Sequence, residues 1–261
     1  MTKSPKSETN MIEYETRDGI VWIWFNRPHR LNAVIPEMVQ QLIGCLEQAL
    51  DQGPGAVVLA GRGAAFCAGY DLKQEQVERK ESAHRRQVER LHDVTRLIRR
   101  APFPVIASVH GYALGNGCEF ALASDFVIAA DNSQFGFPEV SWGLGVTGGG
   151  TALLAGSVGI HVAKNLILGG ERFSAERAHQ LGIVTLTTAA DKLEQATTDF
   201  ALRIADLPRD AFARSKRAID LSLSSNLESA YALETEQSIV AGRDEVTKSS
   251  ILEFSDQGLN G

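Results

Sequence analysis

The sequence predicts an α/β fold built on a largely parallel sheet, with a helical region at its C-terminal end. Short apolar runs alternate with helical patterns up to about residue 195, and only helical patterns follow. Continuous apolar runs are typical of strands that are buried on both faces of a parallel sheet. We therefore expect a disordered leader at residues 1–10, an α/β core at 11–195 and a helical region at 196–261.

The first strand–helix–strand unit is predicted close to the N-terminus. Residues 21–25 form an apolar run rich in β-branched and aromatic side chains, and residues 26–28 follow it as a loop. Pro36 opens a helical pattern that Gly53 stops, and residues 56–60 form a second buried strand. A helix between two such strands indicates a right-handed crossover and parallel pairing.

The same patterns predict the other elements. A charged helix is expected at residues 81–100, and strands are expected at residues 105–109 and 126–130. Four helical patterns fill the C-terminal region, at residues 193–207, 212–223, 227–240 and 246–254.

Composition and charge exclude several classes of function. The formal net charge is -6, which disfavours a nucleic-acid surface because phosphate binding needs clustered cations. Cys45, Cys67 and Cys118 lack CxxC spacing, so we expect reduced thiols, a cytoplasmic location and no metal site. No apolar run reaches the roughly 18 residues of a membrane span, and the first residues lack the apolar core of a signal peptide.

Three glycine-rich segments carry the candidate chemistry. Residues 61–73 follow a strand, and their glycines allow a backbone to approach a ligand closely, although a surface turn explains this segment alone equally well. Residues 110–120 run from a strand through a glycine-rich turn into a helix whose first turn carries Glu119. Helix N-termini favour anionic oxygen, but the spacing matches neither a Walker loop nor GxGxxG. The third segment, residues 135–140, carries Glu139 beside a proline.

Taken in this order, the segments resemble the crotonase (enoyl-CoA hydratase/isomerase) superfamily. The matching motifs are Asn26-Arg27-Pro28, Phe66-Cys67-Ala68-Gly69, Gly115-Asn116-Gly117-Cys118-Glu119, Phe135-Gly136-Phe137-Pro138-Glu139 and Leu168-Gly169-Gly170. The resemblance implies a spiral of ββα units, a C-terminal helical oligomerisation region that forms trimers or hexamers, and action on an acyl-CoA thioester. Coenzyme A is then part of the substrate, and no other cofactor is expected.

The resemblance also implies roles for four residues. The backbone N–H groups of Tyr70 and Asn116 would form the oxyanion hole that binds the thioester oxygen. Glu119 and Glu139 lie 20 positions apart, counted as 139 − 119, which is the spacing of the family's hydratases. Such a pair would add water across the 2,3 double bond, with Glu119 activating the water and Glu139 supplying the α-proton.

By resemblance, two further sets of residues would contact the substrate. The candidate CoA-binding residues are Arg27, Asn32, Ala33, Ala68, Asp71, Leu72 and Lys73. The candidate acyl-pocket residues are Trp142 and Val146, of which Trp142 would either close the pocket or pack in the core, with core packing favoured.

The chain departs from the family pattern at three places. Asn116 replaces a usual glycine, and we expect it to tolerate φ > 0 there and either to narrow the pocket or to add a hydrogen bond. Val146 and Thr147 replace a usual Pro-Gly step. Residues 253–256 are acidic where many relatives carry a basic stretch, so a carrier-protein thioester remains an alternative to CoA.

Other functions remain open on the sequence alone. A double-bond isomerase or a dehydratase of the same superfamily could use the same oxyanion hole, although such isomerases often keep one carboxylate of the pair. A non-enzymatic acyl-CoA- or RNA-binding module would keep the fold without needing both. The acidic charge argues against RNA, and the presence of Glu119 and Glu139 argues against an inactive protein.

Overall fold

The computed structural model describes residues 10–74 and 80–257, so the leader expected at residues 1–10 lies almost wholly outside the described residues. The strands are β1 (Ile12–Arg17), β2 (Ile20–Phe25), β3 (Ala56–Gly61), β4 (Val105–Val109), β5 (Tyr112–Leu114), β6 (Phe126–Ala130), β7 (Gln134–Gly136), β8 (Arg172–Ser174) and β9 (Leu186–Thr188). The α-helices are α1 (Pro36–Gln52), α2 (Glu81–Arg100), α3 (Asn116–Ala123), α4 (Gly150–Val158), α5 (Ile160–Gly169), α6 (Ala175–Gln180), α7 (Leu193–Ala205), α8 (Arg209–Ser222), α9 (Leu227–Ala241) and α10 (Glu245–Gln257).

A six-stranded sheet with the order β1-β2-β3-β4-β6-β9 forms the centre of the fold. Every pairing in it is parallel except that of β1 with β2. Asp18 and Gly19 join these two strands with φ of 50° and 77°, and two left-handed residues are what a tight hairpin turn requires. The largely parallel sheet predicted from the apolar runs is confirmed.

Both faces of this sheet are covered. On β2, Val21, Ile23 and Phe25 face a core shared with α1, α2 and α3. Trp22 and Trp24 point to the opposite face, where they pack in a second core that includes residues of α7. A strand buried on both faces has no polar position, which explains why residues 21–25 read as a continuous apolar run.

A second, three-stranded sheet has the order β5-β7-β8. Strand β5 leads into α3, and β7 leads into a short 3-10 helix at Pro138–Trp142. This sheet therefore carries the glycine-rich segments of residues 110–120 and 135–140 side by side, because β5 pairs with β7.

The four predicted C-terminal helices are present as α7 to α10, so the helical nature of this region is confirmed. The boundary expected between residues 195 and 196 falls inside α7, which packs against β3, β4 and β6 of the main sheet. Helices α8 and α9 pack together beyond it. In the part of the chain that the structure describes, no helix combines the length and apolar character that crossing a bilayer requires.

Candidate active site

The segment around Tyr70 lies against the turn that precedes α3. Val34 donates its N–H to the Gly69 carbonyl at 2.7 Å and accepts from the Asp71 N–H at 2.9 Å. Successive N–H groups of an extended chain alternate in direction, so the Tyr70 N–H points away from Val34. A methyl group on Gly69 would lie 2.8 Å from the Leu114 carbonyl oxygen, so this approach requires glycine.

Asn116 is the first residue of α3, where backbone N–H groups lack partners within the helix. The left-handed residue of this turn is Gly115, with φ of 51°, and Asn116 is not among the residues of positive φ. Asn116 therefore does not adopt the φ > 0 that we expected it to tolerate, because the preceding glycine makes the turn. A methyl on Gly115 would lie 3.7 Å from Gly69 Cα, so the segments of Tyr70 and Asn116 are adjacent.

Glu119 is fully buried in the first turn of α3. Its Oε2 accepts a hydrogen bond from Asn116 Nδ2 at 2.5 Å, and its Oε1 accepts from the Thr147 N–H at 2.8 Å. Burial raises the pKa of Glu119, whereas Asn116 and the backbone N–H groups of Thr147 and Gly148 act to lower it, as does nearby His92. The carboxylate is thus desolvated but held by donors that favour its charged form.

Glu139 lies in the 3-10 helix that follows β7 and is half-buried. A methyl on Gly115 would lie 2.7 Å from its Oε1, so the carboxyl group reaches the turn before α3. Among the described residues its Oε2 is buried without a hydrogen-bond partner. Burial, reinforced by the negative charge of Glu119, raises the pKa of Glu139 to about 7.

Gly148, Gly150 and Val146 lie close to the Glu119 side chain. A methyl on Gly148 would lie 2.7 Å from Glu119 Oε2, and one on Gly150 would lie 3.1 Å from Glu119 Cγ and 2.8 Å from Val146 Cγ1. Val146 is half-buried, and both Val146 and Glu119 adjoin Gly150, in the region where the acyl pocket is predicted. Trp142 is 68% exposed, so the favoured expectation that it packs in the core is wrong.

Some of the candidate CoA-binding residues form a hydrogen-bonded network around Asp71, which is 5% exposed. Arg27 Nη1 donates to Asp71 Oδ2 at 2.8 Å and to the Ala33 carbonyl at 3.0 Å. Arg30 Nη2 donates to Asp71 Oδ1 at 3.0 Å. These hydrogen bonds lower the pKa of Asp71 against the effect of its burial. The structure thus brings Arg27, Ala33 and Asp71 together.

Asn32 supports the loop that carries this network through hydrogen bonds of its buried side chain. It is fully buried with φ of 57°, and its Nδ2 donates to the carbonyls of Arg62 at 2.9 Å and Ala65 at 2.7 Å. Any contact of this position with a ligand must therefore involve backbone rather than the carboxamide. The remaining candidates, Ala68, Leu72 and Lys73, lie on the adjoining segment, where Leu72 and Lys73 are exposed.

Sequence reasoning missed Arg30 and Thr147. Arg30 lies two residues after the Asn26-Arg27-Pro28 motif, and a second cation there was a signal that could have found it. Thr147 was noted only as a departure from the family, and its backbone contact with Glu119 spans 28 positions that no local pattern connects.

Comparisons with known proteins identify the family. The sequence model of the enoyl-CoA hydratase/isomerase family matches residues 15–258. A protein of Rhizobium meliloti (strain 1021) named "Probable enoyl-CoA hydratase" is 34% identical over 244 residues, which cover 91% of this chain and 92% of the relative. A 1,2-epoxyphenylacetyl-CoA isomerase of Escherichia coli (strain K12) is 34% identical over 229 residues, covering 86% of this chain and 87% of the relative.

A solved structure gives the same result for the fold. The crystal structure of an enoyl-CoA hydratase from Polaromonas sp. JS666 superposes with a TM-score of 0.89 at 32% identity, covering 94% of this chain and 97% of the other. Both the predicted resemblance and the predicted fold class are thereby confirmed, and the chain belongs to the enoyl-CoA hydratase/isomerase family, the crotonase superfamily.

Proposed function

We propose that this protein is an enoyl-CoA hydratase that adds water across the 2,3 double bond of an acyl-CoA thioester. The observation that supports this most strongly is the unequal pair of carboxyl groups at the Gly115 turn. Burial raises the pKa of both carboxyl groups, but at Glu119 hydrogen-bond donors oppose this rise, whereas at Glu139 the pKa reaches about 7 and Oε2 is buried and unpartnered among the described residues. One base and one acid beside the same turn are what hydration needs.

The steps follow from this difference. Ionised Glu119 accepts a proton from water as the water oxygen bonds to the β-carbon. Protonated Glu139 gives its proton to the α-carbon, so a hydroxyl group and a proton are added, and proton exchange with solvent then returns Glu119 to its ionised form and Glu139 to its protonated form. The enolate oxygen that forms between these events would accept hydrogen bonds from the backbone N–H groups of Tyr70 and Asn116, each worth about 3 kcal/mol of barrier.

Substrate binding is proposed to use the network around Asp71. The Arg27 and Arg30 guanidiniums both contact this carboxylate and fix the loop that leads to Gly69 and Tyr70. Lys73 is exposed beside it and would approach a phosphate of CoA. Coenzyme A enters as part of the substrate, and no further cofactor is proposed.

A panel of enoyl thioesters tests the activity directly. We expect purified protein to remove the ultraviolet absorbance of the conjugated thioester for at least one short or medium enoyl-CoA, with the 3-hydroxyacyl-CoA as product. The same acyl groups on a carrier protein serve as a parallel series, because the acidic residues 253–256 leave the carrier open. Absence of turnover with every enoyl thioester would remove the hydratase proposal.

Double-bond isomerisation is the second candidate, and one observation favours it. Both oxygens of Glu119 already accept hydrogen bonds from the protein, at Asn116 and Thr147, whereas Glu139 has an open oxygen among the described residues. An isomerase needs one carboxyl group to move a proton between two carbons, and Glu139 suits that task. A shift of the double bond without a hydroxylated product would identify this reaction.

We also propose that copies of the chain associate through the C-terminal helices. Ile219 of α8, Leu227 of α9 and Ile251 of α10 are between 62% and 69% exposed. Large apolar side chains left exposed on three successive helices are typical of surfaces that bind another subunit. By analogy with the family, the expected assembly is a trimer or a hexamer.

Light scattering at micromolar concentration tests the assembly. We expect a mass of three or six times 28.3 kDa. Changing Ile219 and Ile251 together to Glu is expected to lower that mass, whereas changing the exposed polar Glu228 to Gln is expected to leave it unchanged. A monomeric mass for the unmodified protein would contradict the proposal.

A further inference from the structure

We propose that Asn116 is a positioning residue that holds the Glu119 carboxylate with its side chain while its backbone N–H serves the thioester oxygen. This inference rests on the proposed function, since it assigns a second task to a residue of the predicted oxyanion hole. It concerns a side chain that this chain has where the resemblance leads one to expect glycine.

The contact itself carries the inference. Asn116 and Glu119 lie three positions apart on α3, where side chains of one helix face meet. Asn116 is 4% exposed and Glu119 is fully buried, and their Nδ2···Oε2 distance is 2.5 Å. An ionised carboxylate only accepts hydrogen bonds. The Asn116 side chain must therefore turn its NH₂ group, and not its amide oxygen, toward Glu119.

Thr147 also holds the Glu119 carboxylate, and we call Asn116 and Thr147 together the clamp. Its backbone N–H donates to Glu119 Oε1 at 2.8 Å, and its Oγ1 lies 3.3 Å from Asn116 Nδ2. The two carboxylate oxygens can together accept four hydrogen bonds, and Asn116, Thr147 and Gly148 supply three, so one position remains for a substrate water. The clamp therefore fixes the direction of the Glu119 carboxylate without removing it from the reaction.

The surrounding groups determine how strongly the carboxylate depends on Asn116. His92 of α2, whose Nε2 lies 3.1 Å from the Thr147 carbonyl oxygen, favours the charged form of Glu119. Glu139, from the 3-10 helix, adds like charge when it is ionised. Cys67 and Cys118 are also close, and burial raises the pKa of Cys67 to about 12 and that of Cys118 further, so both thiols stay neutral.

Changing Asn116 to Ala removes Nδ2 but keeps the backbone N–H. The lost donor stabilised the ionised form of Glu119, so the pKa of Glu119 is expected to rise. The expected rise is about one to two pH units, which corresponds to the usual free energy of a hydrogen bond to a charged group. The acidic limb of the kcat/KM profile is expected to move to higher pH by that amount. Because Glu139, with a pKa of about 7, must stay protonated, activity is also expected to fall at high pH, so the pH range of activity narrows from its acidic side while KM changes little.

Two further variants separate positioning from packing. Asn116→Asp places a second negative charge beside Glu119 and is expected to move the acidic limb further than Ala does. Thr147→Val removes only the hydroxyl that lies 3.3 Å from Asn116 and is expected to move the limb clearly less. A merely structural role for Asn116 would lower activity at every pH and leave the limb in place, which would overturn the proposal.

A second readout does not depend on turnover. Infrared titration of the free protein follows the band of a protonated carboxyl group, and Glu119→Gln identifies the part due to Glu119. In Asn116→Ala the midpoint of that band is expected to rise together with the kinetic limb. If wild type hydrates enoyl-CoA and neither value moves, this inference fails and the proposed function stands. If no enoyl-CoA is hydrated and the midpoint still rises, the proposed function fails and the clamp stands.

Discussion

Replacing Glu119 or Glu139 with Gln is expected to lower kcat by about 10²–10⁴-fold in each case, the usual contribution of general acid–base catalysis. Glutamine keeps the size of the side chain but can neither take nor give the proton. Substrate binding is expected to change little, because the backbone N–H groups of Tyr70 and Asn116 remain. Initial rates of enoyl-CoA hydration over a range of substrate concentrations separate kcat from KM.

The double change gives the sharper test. Both groups act in the same addition reaction, so the loss for the pair is expected to be far smaller than the product of the single losses. Glu176→Gln, an exposed carboxylate in the first turn of α6, is the matched control and is expected to keep wild-type activity. A large loss at Glu139 with almost none at Glu119, combined with no hydration by wild type, would point to the isomerase.

Replacing Lys216 with Met is expected to lower the free energy of unfolding by about 3–5 kcal/mol, because it leaves a buried charge without its partner. The Lys216 side chain is 5% exposed, and its Nζ contacts Asp125 Oδ2 at 2.7 Å and the Ile98 carbonyl at 3.0 Å. This ion pair connects α8 to the start of β4 in the main sheet, since Asp125 also accepts from the Val105 N–H at 2.8 Å. Urea unfolding at a fixed protein concentration measures the loss.

The pH dependence of this loss has a definite sign. Burial already raises the pKa of Asp125 although Lys216 acts against it, so the variant should have a still higher value in the folded state. A folded-state pKa above the unfolded one favours folding at low pH. The deficit of Lys216→Met is therefore expected to be largest near neutral pH and to shrink as the medium becomes acidic.

Two further variants serve as comparisons for the Lys216 experiment. Adding Asp125→Asn removes the unpaired charge and is expected to recover part of the stability. Arg85→Met breaks the exposed pair with Glu81, whose side chains are 73% and 87% exposed, and should cost no more than about 1 kcal/mol. Equal losses at Lys216 and Arg85 would show that burial of the pair does not govern its contribution.

The strands and helices with long, uniform patterns could be predicted from the sequence, and the short ones could not. The apolar run at residues 56–60 corresponds to β3, and the charged helix at residues 81–100 to α2. Strands β5, β7 and β8 have three residues each, too few to show a period, and they form because neighbouring segments supply their partners. Pairing between distant segments is a tertiary property that no local window contains.

At the candidate site, too, some features could be predicted from the sequence and others depend on tertiary packing. The motifs identified Glu119 and Glu139, and the contact of Asn116 with Glu119 follows from their spacing on one helix. The exposure of Trp142 did not follow, because an aromatic residue beside glycines is compatible with either burial or a surface. The contact between Thr147 and Glu119 also depends on the loop before α4, whose path is set by packing.

The exposure of Trp142 has an optical consequence. The chain has three tryptophans, and the other two, Trp22 and Trp24, are 1% and 6% exposed and stacked on each other. A polar quencher in solution therefore reaches Trp142 almost alone, so the quenchable part of the fluorescence reports on that position. Trp142 ends the 3-10 helix that carries Glu139, which gives the protein an intrinsic fluorophore three residues from a proposed catalytic acid.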